Sequence, residues 1–90
     1  MSISPIGFFD SGIGGVSVWK EVTQLLPEEN TIYYADSKNS PYGSKSISEI
    51  QNISIINSNW LIDKGCKLIV VACNTATTNA ISLLRKKFQI

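Results

Sequence analysis

Three short apolar segments of this chain each end at a polar cluster, and a segment with helical periodicity follows each cluster. The apolar segments are Ile6–Phe9, Thr31–Ala35 and Leu68–Ala72. Strands that alternate with helices are typical of βαβ units, in which helical crossovers join parallel strands of one sheet. The sequence therefore predicts an α/β fold, a parallel sheet with helical crossovers in the order βαβαβα.

The second helical segment has the clearest boundaries. Ser46 and Glu49 have the spacing of a capping box at its start, and Gly65 suits its C-terminal end. Its apolar residues form a stripe wide enough to face a sheet. The stripe consists of Ile47, Ile50, Ile53, Ile56, Trp60 and Leu61. The third strand is apolar throughout, which predicts that helices cover both of its faces.

Composition excludes several classes of function. The chain has 90 residues, of which 43% are apolar and 17% charged, and its net charge is +1. This is typical of one modest globular domain or of part of a larger one, and the charge gives no reason to expect a nucleic-acid or membrane partner. No signal peptide is visible and the longest apolar run is too short to cross a bilayer, so we expect a cytoplasmic protein.

The two cysteines are not spaced as a redox pair or as a disulfide framework. Six residues separate Cys66 from Cys73, and the chain contains no histidine. Because the carboxylates do not cluster either, we expect no metal site. Cys66 comes before the third strand, away from the polar clusters, and we expect it to be an inert buried residue.

Polar side chains follow every strand of the predicted sheet. Asp10 and Ser11 follow the first strand, Asp36 and then Tyr42-Gly43 follow the second, and Cys73 follows the third. Because the carboxyl ends of parallel strands lie at one edge, where open α/β folds bind ligands, these residues can line one cleft. Simpler interpretations also exist. Asp10 and Ser11 could cap the first helix, Asp36 could cap the loop, and Tyr42-Gly43 could belong to an ordinary turn.

Cys73 stands where a strand ends and a helix begins, a position that favours the thiolate. Without histidine, a Cys–His hydrolase is excluded within this chain, and Asn79 occupies the position where a phosphatase loop needs arginine. The glycines after Asp10 match neither a dinucleotide fingerprint nor a P-loop. Lys38 and Lys45 lie in a polar loop that does not suggest pyridoxal chemistry. The remaining interpretation is that the Cys73 thiolate acts as a base on a carbon acid, and that Asp10 holds or polarises the thiolate.

Three motifs, in their order and separation, together resemble the N-terminal part of bacterial glutamate racemases over essentially all 90 residues. They are Phe9-Asp10-Ser11-Gly12-x-Gly14-Gly15, Asp36 with Pro41-Tyr42-Gly43, and Cys73-Asn74-Thr75-Ala76-Thr77. The resemblance implies that residues 1–90 are a partial N-terminal α/β domain, from the first lobe of a two-lobed racemase fold. It also implies interconversion of L- and D-glutamate without a cofactor, a supply of D-glutamate for peptidoglycan, and a homodimer at full length.

The same resemblance implies roles for individual residues. In the family, two cysteines act on opposite faces of the substrate Cα, one as a thiolate base and the other as a thiol acid. Cys73 matches one of them, and Asp10 matches the residue that assists it. The matching substrate contacts are Asp10, Ser11, Tyr42, Gly43, Asn74 and Thr75. Because the second lobe supplies the other cysteine in the family, we expect the 90-residue chain to be inactive alone.

Other functions stay open on the residues alone. An aspartate racemase would share the fold and a thiol, although this combination of motifs favours glutamate. A small-anion-binding α/β module, or a flavodoxin-like domain with an incidental thiol, would need no second cysteine.

Overall fold

The computed structural model describes residues 4–12 and 14–88. Its strands are β1 (Ile6–Asp10), β2 (Thr31–Ala35) and β3 (Leu68–Val71). Its α-helices are α1 (Val16–Leu25), α2 (Ile47–Asp63) and α3 (Asn74–Lys87). Two short 3₁₀ turns, Ser37–Asn39 and Tyr42–Ser44, lie between β2 and α2.

The three strands form one parallel sheet in the order β2-β1-β3, which confirms the predicted α/β fold. In the central strand, Ile6 is level with Thr31 of β2 and with Leu68 of β3. All three strands therefore point the same way, and the segments that follow Asp10 and Val71 leave the sheet at the same edge.

The main apolar core lies between the sheet and the pair of helices α2 and α3, which pack against each other. Right-handed crossovers in this strand order place α1 on the opposite face of the sheet. None of the residues of α1 is fully buried. Its Trp19 instead fixes the helix to β2, since the indole N–H donates to the Thr31 hydroxyl at 2.9 Å.

The prediction that helices cover both faces of β3 is wrong for the described part of the chain. Leu68 is 46% exposed, and the other residues of β3 are only half-buried. The reason is position, because β3 lies at an edge of the sheet while β1 occupies its centre. Every residue of β1 is buried.

The apolar stripe predicted for α2 is partly wrong. Ile50 and Leu61 are buried, but Ile47, Ile56 and Trp60 are 60%, 66% and 41% exposed. The helix buries polar residues in their place. These are Ser54, Asn57 and Ser58. Because α2 contacts both β1 and α3, its buried face is set by two neighbours rather than by the sheet alone.

Both predicted ends of α2 are confirmed. The Ser46 hydroxyl accepts the Glu49 N–H at 3.2 Å, and the Glu49 carboxylate accepts the Ser46 N–H at 3.2 Å. This is a complete capping box. Gly65 follows the helix with a φ of +87°, a backbone conformation that suits glycine.

A buried polar network joins the end of β2 to α2. The Asp36 carboxylate accepts hydrogen bonds from the Tyr42 hydroxyl at 2.6 Å, from Asn57 at 3.1 Å and from Asn39 at 3.0 Å. Asn57 also donates to the Tyr42 oxygen at 2.9 Å. The interpretation of Asp36 as a cap of its loop holds in part: its side chain makes no N-cap hydrogen bond to the 3₁₀ turn, but Asn39 within that turn donates to its carboxylate. Through Asn57, the carboxylate also connects the loop after β2 to α2, 21 residues further along the chain.

The two acidic groups of this network keep different protonation states. Burial raises the pKa of Asp36, but the hydrogen bonds from Tyr42, Asn39 and Asn57 outweigh it and leave that pKa below its ordinary value. Burial and the neighbouring Asp36 raise the pKa of Tyr42. At neutral pH the network is therefore a carboxylate that accepts from a neutral phenol.

Gly15 brings the start of α1 against the end of β3. A Cβ atom on Gly15 would lie 2.6 Å from the Cβ and 2.9 Å from the carbonyl oxygen of Ala72. It would also lie 2.9 Å from the Tyr33 hydroxyl. Only a glycine fits this contact without a shift of the backbone.

Gly15→Ala is therefore expected to lower the free energy of unfolding by about 1–3 kcal/mol, the usual cost of overpacking. The matched control is Gly12→Ala, because an added Cβ there would meet no atom within 4 Å. The free energies of unfolding of both variants are measured by guanidinium titration, with tryptophan fluorescence as the signal. Equal stability of the two variants would contradict the close contact at Gly15.

Asp36→Asn is expected to destabilise the protein at pH 7 by about 1–3 kcal/mol, because the buried donors lose a charged acceptor. Since the folded-state pKa of Asp36 is lowered, its stabilisation is present above the unfolded value and is lost as the pH falls through the folded value. The difference between wild type and variant should shrink below about pH 4. The control is Asp63→Asn, at an exposed carboxylate. A pH-independent difference would contradict this account.

Candidate active site

A cleft of about 390 Å³ lies at the edge of the sheet where β1 and β3 end. Four predicted site residues line it, namely Asp10, Ser11, Cys73 and Asn74. The rest of the lining comes from the loop after β1, the start of α1 and the end of β3. These further residues are Gly12, Gly14, Ser17, Val18 and Ala72. The structure thus brings two of the three sequence motifs together.

Asp10 is the last residue of the central strand, and its side chain is buried. Its Oδ1 atom accepts the Ser11 N–H at 2.7 Å, and its Oδ2 atom accepts the Gly15 N–H at 2.5 Å. Gly15 is the residue before α1, so the carboxylate satisfies a free amide at the start of that helix. The predicted cap of α1 by Asp10 or Ser11 is not present, because no side chain accepts a capping hydrogen bond from the first turn of the helix. Asp10 instead accepts the N–H of the N-cap residue, Gly15.

Cys73 is the last residue before α3 and has an extended backbone. Its thiol donates toward the Ser11 hydroxyl at an Sγ–Oγ distance of 4.0 Å, and that hydroxyl donates to Asp10 Oδ1 at 3.5 Å. A hydrogen-bonded path therefore runs from the thiol through Ser11 to the carboxylate. Both steps are long, as they can be before a ligand closes a site.

Thr77 fixes the junction that carries Cys73. Its hydroxyl donates to the Cys73 carbonyl at 2.8 Å and lies 3.2 Å from the Val71 carbonyl. In the sequence, Thr77 is the last residue of the third motif and has no predicted role of its own. The available signal was its position four residues after Cys73, from which a threonine hydroxyl can reach the preceding turn.

Three predicted site residues do not line the cleft. Tyr42 is buried, and its hydroxyl is held by Asp36 and Asn57. Gly43 is exposed with open space beside it, and Thr75 is half-buried in the first turn of α3. The 3₁₀ turn of Tyr42 and Gly43 packs against α3, so it lies close to the helix that Cys73 precedes.

Tyr33 is a neighbour of the site that the sequence analysis missed. Its hydroxyl lies 3.4 Å from Asp10 Oδ2 and 3.4 Å from the Gly12 carbonyl oxygen. Burial, followed by the negative charge of Asp10, raises the pKa of Tyr33. In sequence, this residue is one of two adjacent tyrosines in an apolar strand, and nothing there distinguishes it from a packing residue.

Within residues 4–12 and 14–88, no three Cys, Asp or Glu side chains come together where they could hold a metal ion. Across the same residues, no helix has the length and apolar character that a membrane span requires.

The lining of the cleft suits proton transfer. A thiol is connected to a buried carboxylate, which can accept or polarise its proton. Beside it, the first turn of α3 has backbone N–H groups without partners inside the helix, which suits an anionic group of a ligand. Asn74 at that turn adds an exposed amide side chain.

Comparisons with known proteins point to one family, although no protein-family model matches the chain. The chain is 52% identical over 86 residues to glutamate racemase of Clostridium botulinum strain Loch Maree, covering 96% of this chain and 34% of the relative. It is 54% identical over 85 residues to that of strain Alaska E43, covering 94% of this chain and 33% of the relative.

Solved structures agree with these relatives. Glutamate racemase from Thermus thermophilus superimposes with a TM-score of 0.94 at 39% identity, over 98% of this chain and 34% of that one. The Francisella tularensis enzyme superimposes with a TM-score of 0.89 at 40% identity, over 96% of this chain and 33% of that one. The chain thus spans about a third of the length of the proteins it matches. By sequence and by fold, the chain is similar to about a third of a glutamate racemase.

Proposed function

We propose that the protein containing this chain interconverts L- and D-glutamate, without a cofactor, by transferring a proton at Cα. The observation that carries the proposal is the meeting of Cys73, Ser11 and Asp10 at one cleft, in a chain 52% identical to glutamate racemases. Solved relatives support the substrate. The Francisella tularensis enzyme was solved with D-glutamate, and the Escherichia coli enzyme with L-glutamate and the activator UDP-MurNAc-ala.

In this proposal Cys73 acts as one of two cysteine acid/bases. As a thiolate it takes the Cα proton and becomes a thiol, while the electron pair of the broken C–H bond passes into the substrate carboxylate. A thiol on the opposite face then donates its proton to Cα. An amino-acid Cα is a very weak acid, so the base must be close, oriented and shielded from water.

Asp10 and Ser11 prepare the thiol for this step. Formation of the thiolate breaks the S–H bond of Cys73, and the proton passes toward Ser11, whose own hydroxyl proton moves toward Asp10 Oδ1. The Asp10 carboxylate thus receives a proton from Ser11 and does not contact the Cys73 sulfur directly. This path explains why Asp10 is held at the cleft by backbone amides rather than exposed to solvent.

The remaining predicted contacts bind the substrate. The start of α3, with Asn74 and Thr75, suits a substrate carboxylate, and Asp10 suits the ammonium group. Because the Tyr42 hydroxyl already bonds to Asp36, we infer that the Tyr42-Gly43 turn binds substrate through its backbone. Exposed Gly43 leaves that backbone accessible.

The wider role follows from the same proposal. D-glutamate is supplied for peptidoglycan, in the cytoplasm, by a homodimeric enzyme without nucleic-acid or membrane partners. The second catalytic cysteine lies outside residues 1–90. The relatives favour glutamate over aspartate as substrate. A domain that only binds small anions would bind glutamate without exchanging its Cα proton.

A chimera can test the activity, with this chain in place of the matching 86 residues of the Clostridium botulinum relative. It should racemise L-glutamate, and exchange the Cα proton in deuterated water, without added pyridoxal phosphate. Cys73→Ala should lower kcat by about 10²–10⁴-fold, the usual contribution of an acid/base residue. Circular dichroism and chiral chromatography are the measurements.

The matched control is Cys66→Ala, which removes the other thiol and should leave kcat unchanged. The 90-residue chain alone should show no turnover. Racemisation that needs pyridoxal phosphate, or that survives Cys73→Ala, would refute the two-thiol mechanism. A folded chimera that binds glutamate without exchange would favour the anion-binding alternative.

The two thiols of the chain itself should differ in reactivity. Both side chains are buried, at 6% exposed for Cys66 and 8% for Cys73, but Cys73 lines the cleft whereas Cys66 packs beneath β1. Burial raises the pKa of Cys66. Iodoacetamide should therefore modify Cys73 at least about 10-fold faster at pH 7.5, because the thiolate is the nucleophile and Cys73 faces a cleft that the reagent can enter. Peptide mass spectrometry separates the two sites. Equal rates would contradict the placement of Cys73 on an open cleft.

A further inference from the structure

We propose that Tyr33 is a positioning residue, whose hydroxyl holds the Asp10 carboxylate so that its other oxygen faces Ser11 and, through Ser11, Cys73. This inference rests on the proposed function, in which Asp10 receives the thiol proton. Tyr33 is not among the residues that line the cleft, so it acts through Asp10 rather than on the substrate.

The two oxygens of Asp10 have separate sets of partners. Oδ1 accepts from the backbone N–H and the hydroxyl of Ser11, and it therefore faces Cys73. Oδ2 accepts from the Gly15 N–H and from the Tyr33 hydroxyl. Rotation of the carboxylate about its Cβ–Cγ bond would turn Oδ1 away from Ser11. The hydrogen bonds to Oδ2 oppose that rotation. Tyr33 is the side-chain donor on that side.

The fold places the Tyr33 hydroxyl at this point. Tyr33 is level with Phe8 in the sheet, and their rings stack at a centroid distance of 6.4 Å. Asp10 lies two residues beyond Phe8, on the same face of β1. The hydroxyl then passes beside Gly15, where a Cβ atom would be only 2.9 Å away. The absence of a side chain at Gly15 thus leaves room for the contact.

The tyrosine is a donor in this contact. Its single hydroxyl proton is shared between Asp10 Oδ2 and the Gly12 carbonyl, both at 3.4 Å. Burial and the charge of Asp10 raise the pKa of Tyr33, so the phenol keeps this proton at neutral pH. The bond to Gly12 also ties the loop that lines the cleft to β2.

Tyr34 provides a matched control on the same strand. It lies on the opposite face of β2, where its ring stacks on Trp60 at 5.0 Å. Its hydroxyl makes no hydrogen bond to the described residues of the chain. Tyr33→Phe and Tyr34→Phe therefore remove the same atom from adjacent residues, and only the first removes a donor to Asp10.

The first test measures the iodoacetamide reactivity of Cys73 in the 90-residue chain. Tyr33→Phe should slow modification of Cys73 by about 3- to 10-fold, because a carboxylate without this donor is less ordered and no longer holds Oδ1 toward Ser11, which leads the thiol proton away. Tyr34→Phe should stay within about twofold of wild type. Equal rates for wild type and Tyr33→Phe would overturn the inference.

A double-mutant cycle separates positioning from a general loss of structure. In an Asp10→Asn background, Tyr33→Phe should change the Cys73 rate by less than about twofold, because the group through which it acts is gone. A full additional 3- to 10-fold loss in that background would mean that Tyr33 acts by another route, and would also overturn the inference.

The second test uses the racemase chimera. Tyr33→Phe should lower kcat by about 3- to 10-fold and raise KM by a smaller factor, because the hydroxyl acts through Asp10, which takes the thiol proton and also lies beside the substrate ammonium group. An unchanged kcat, or an effect confined to KM, would contradict the positioning role. If the unmodified chimera shows no racemisation, the proposed function fails, while the reactivity of Cys73 still decides the role of Tyr33.

Discussion

The Asp10 carboxylate is the interaction on which the cleft depends. It is a buried negative charge at the end of the central strand, and such a charge is destabilising unless it is fully hydrogen-bonded. Its donors include the backbone N–H groups of Ser11 and Gly15. The loop after β1 must therefore fold around the carboxylate, which sets both the start of α1 and the approach of Ser11 to Cys73.

The general layout of the site could be predicted from the sequence because it depends on strand direction alone. Parallel strands end at one edge, so the residues that directly follow the neighbouring strands β1 and β3 come close together there. This reasoning placed Asp10, Ser11, Tyr42-Gly43 and Cys73 at one cleft. The structure confirms the proximity of Asp10, Ser11 and Cys73, but Tyr42-Gly43 does not line the cleft. Local signals were equally reliable at the ends of α2, where Ser46, Glu49 and Gly65 act within one turn of the helix.

What the sequence could not predict depends on contacts between distant segments. Asn57 is buried because Asp36 and Tyr42 bond to it, so α2 turns a polar side inward and leaves Trp60 partly exposed. The periodicity of apolar residues predicts which face of a helix is apolar, but it does not reveal hydrogen-bond partners of polar residues on distant segments. Tyr33 was missed for a similar reason, because its contact with Asp10 depends on the register of β2 against β1.

The geometry also limits what this part of the protein can do. Racemisation through a planar intermediate removes a proton at one face of Cα and adds one at the other, and both Asp10 and Cys73 line the same cleft. Cys66 cannot serve the other face, because it lies at the far end of β3, roughly 20 Å along the chain from Cys73. If Cys73 itself gave a proton back to Cα, it would do so from the same face and would only restore the original enantiomer. The proposed reaction therefore requires an acid that enters from beyond this cleft, with the substrate held between the two.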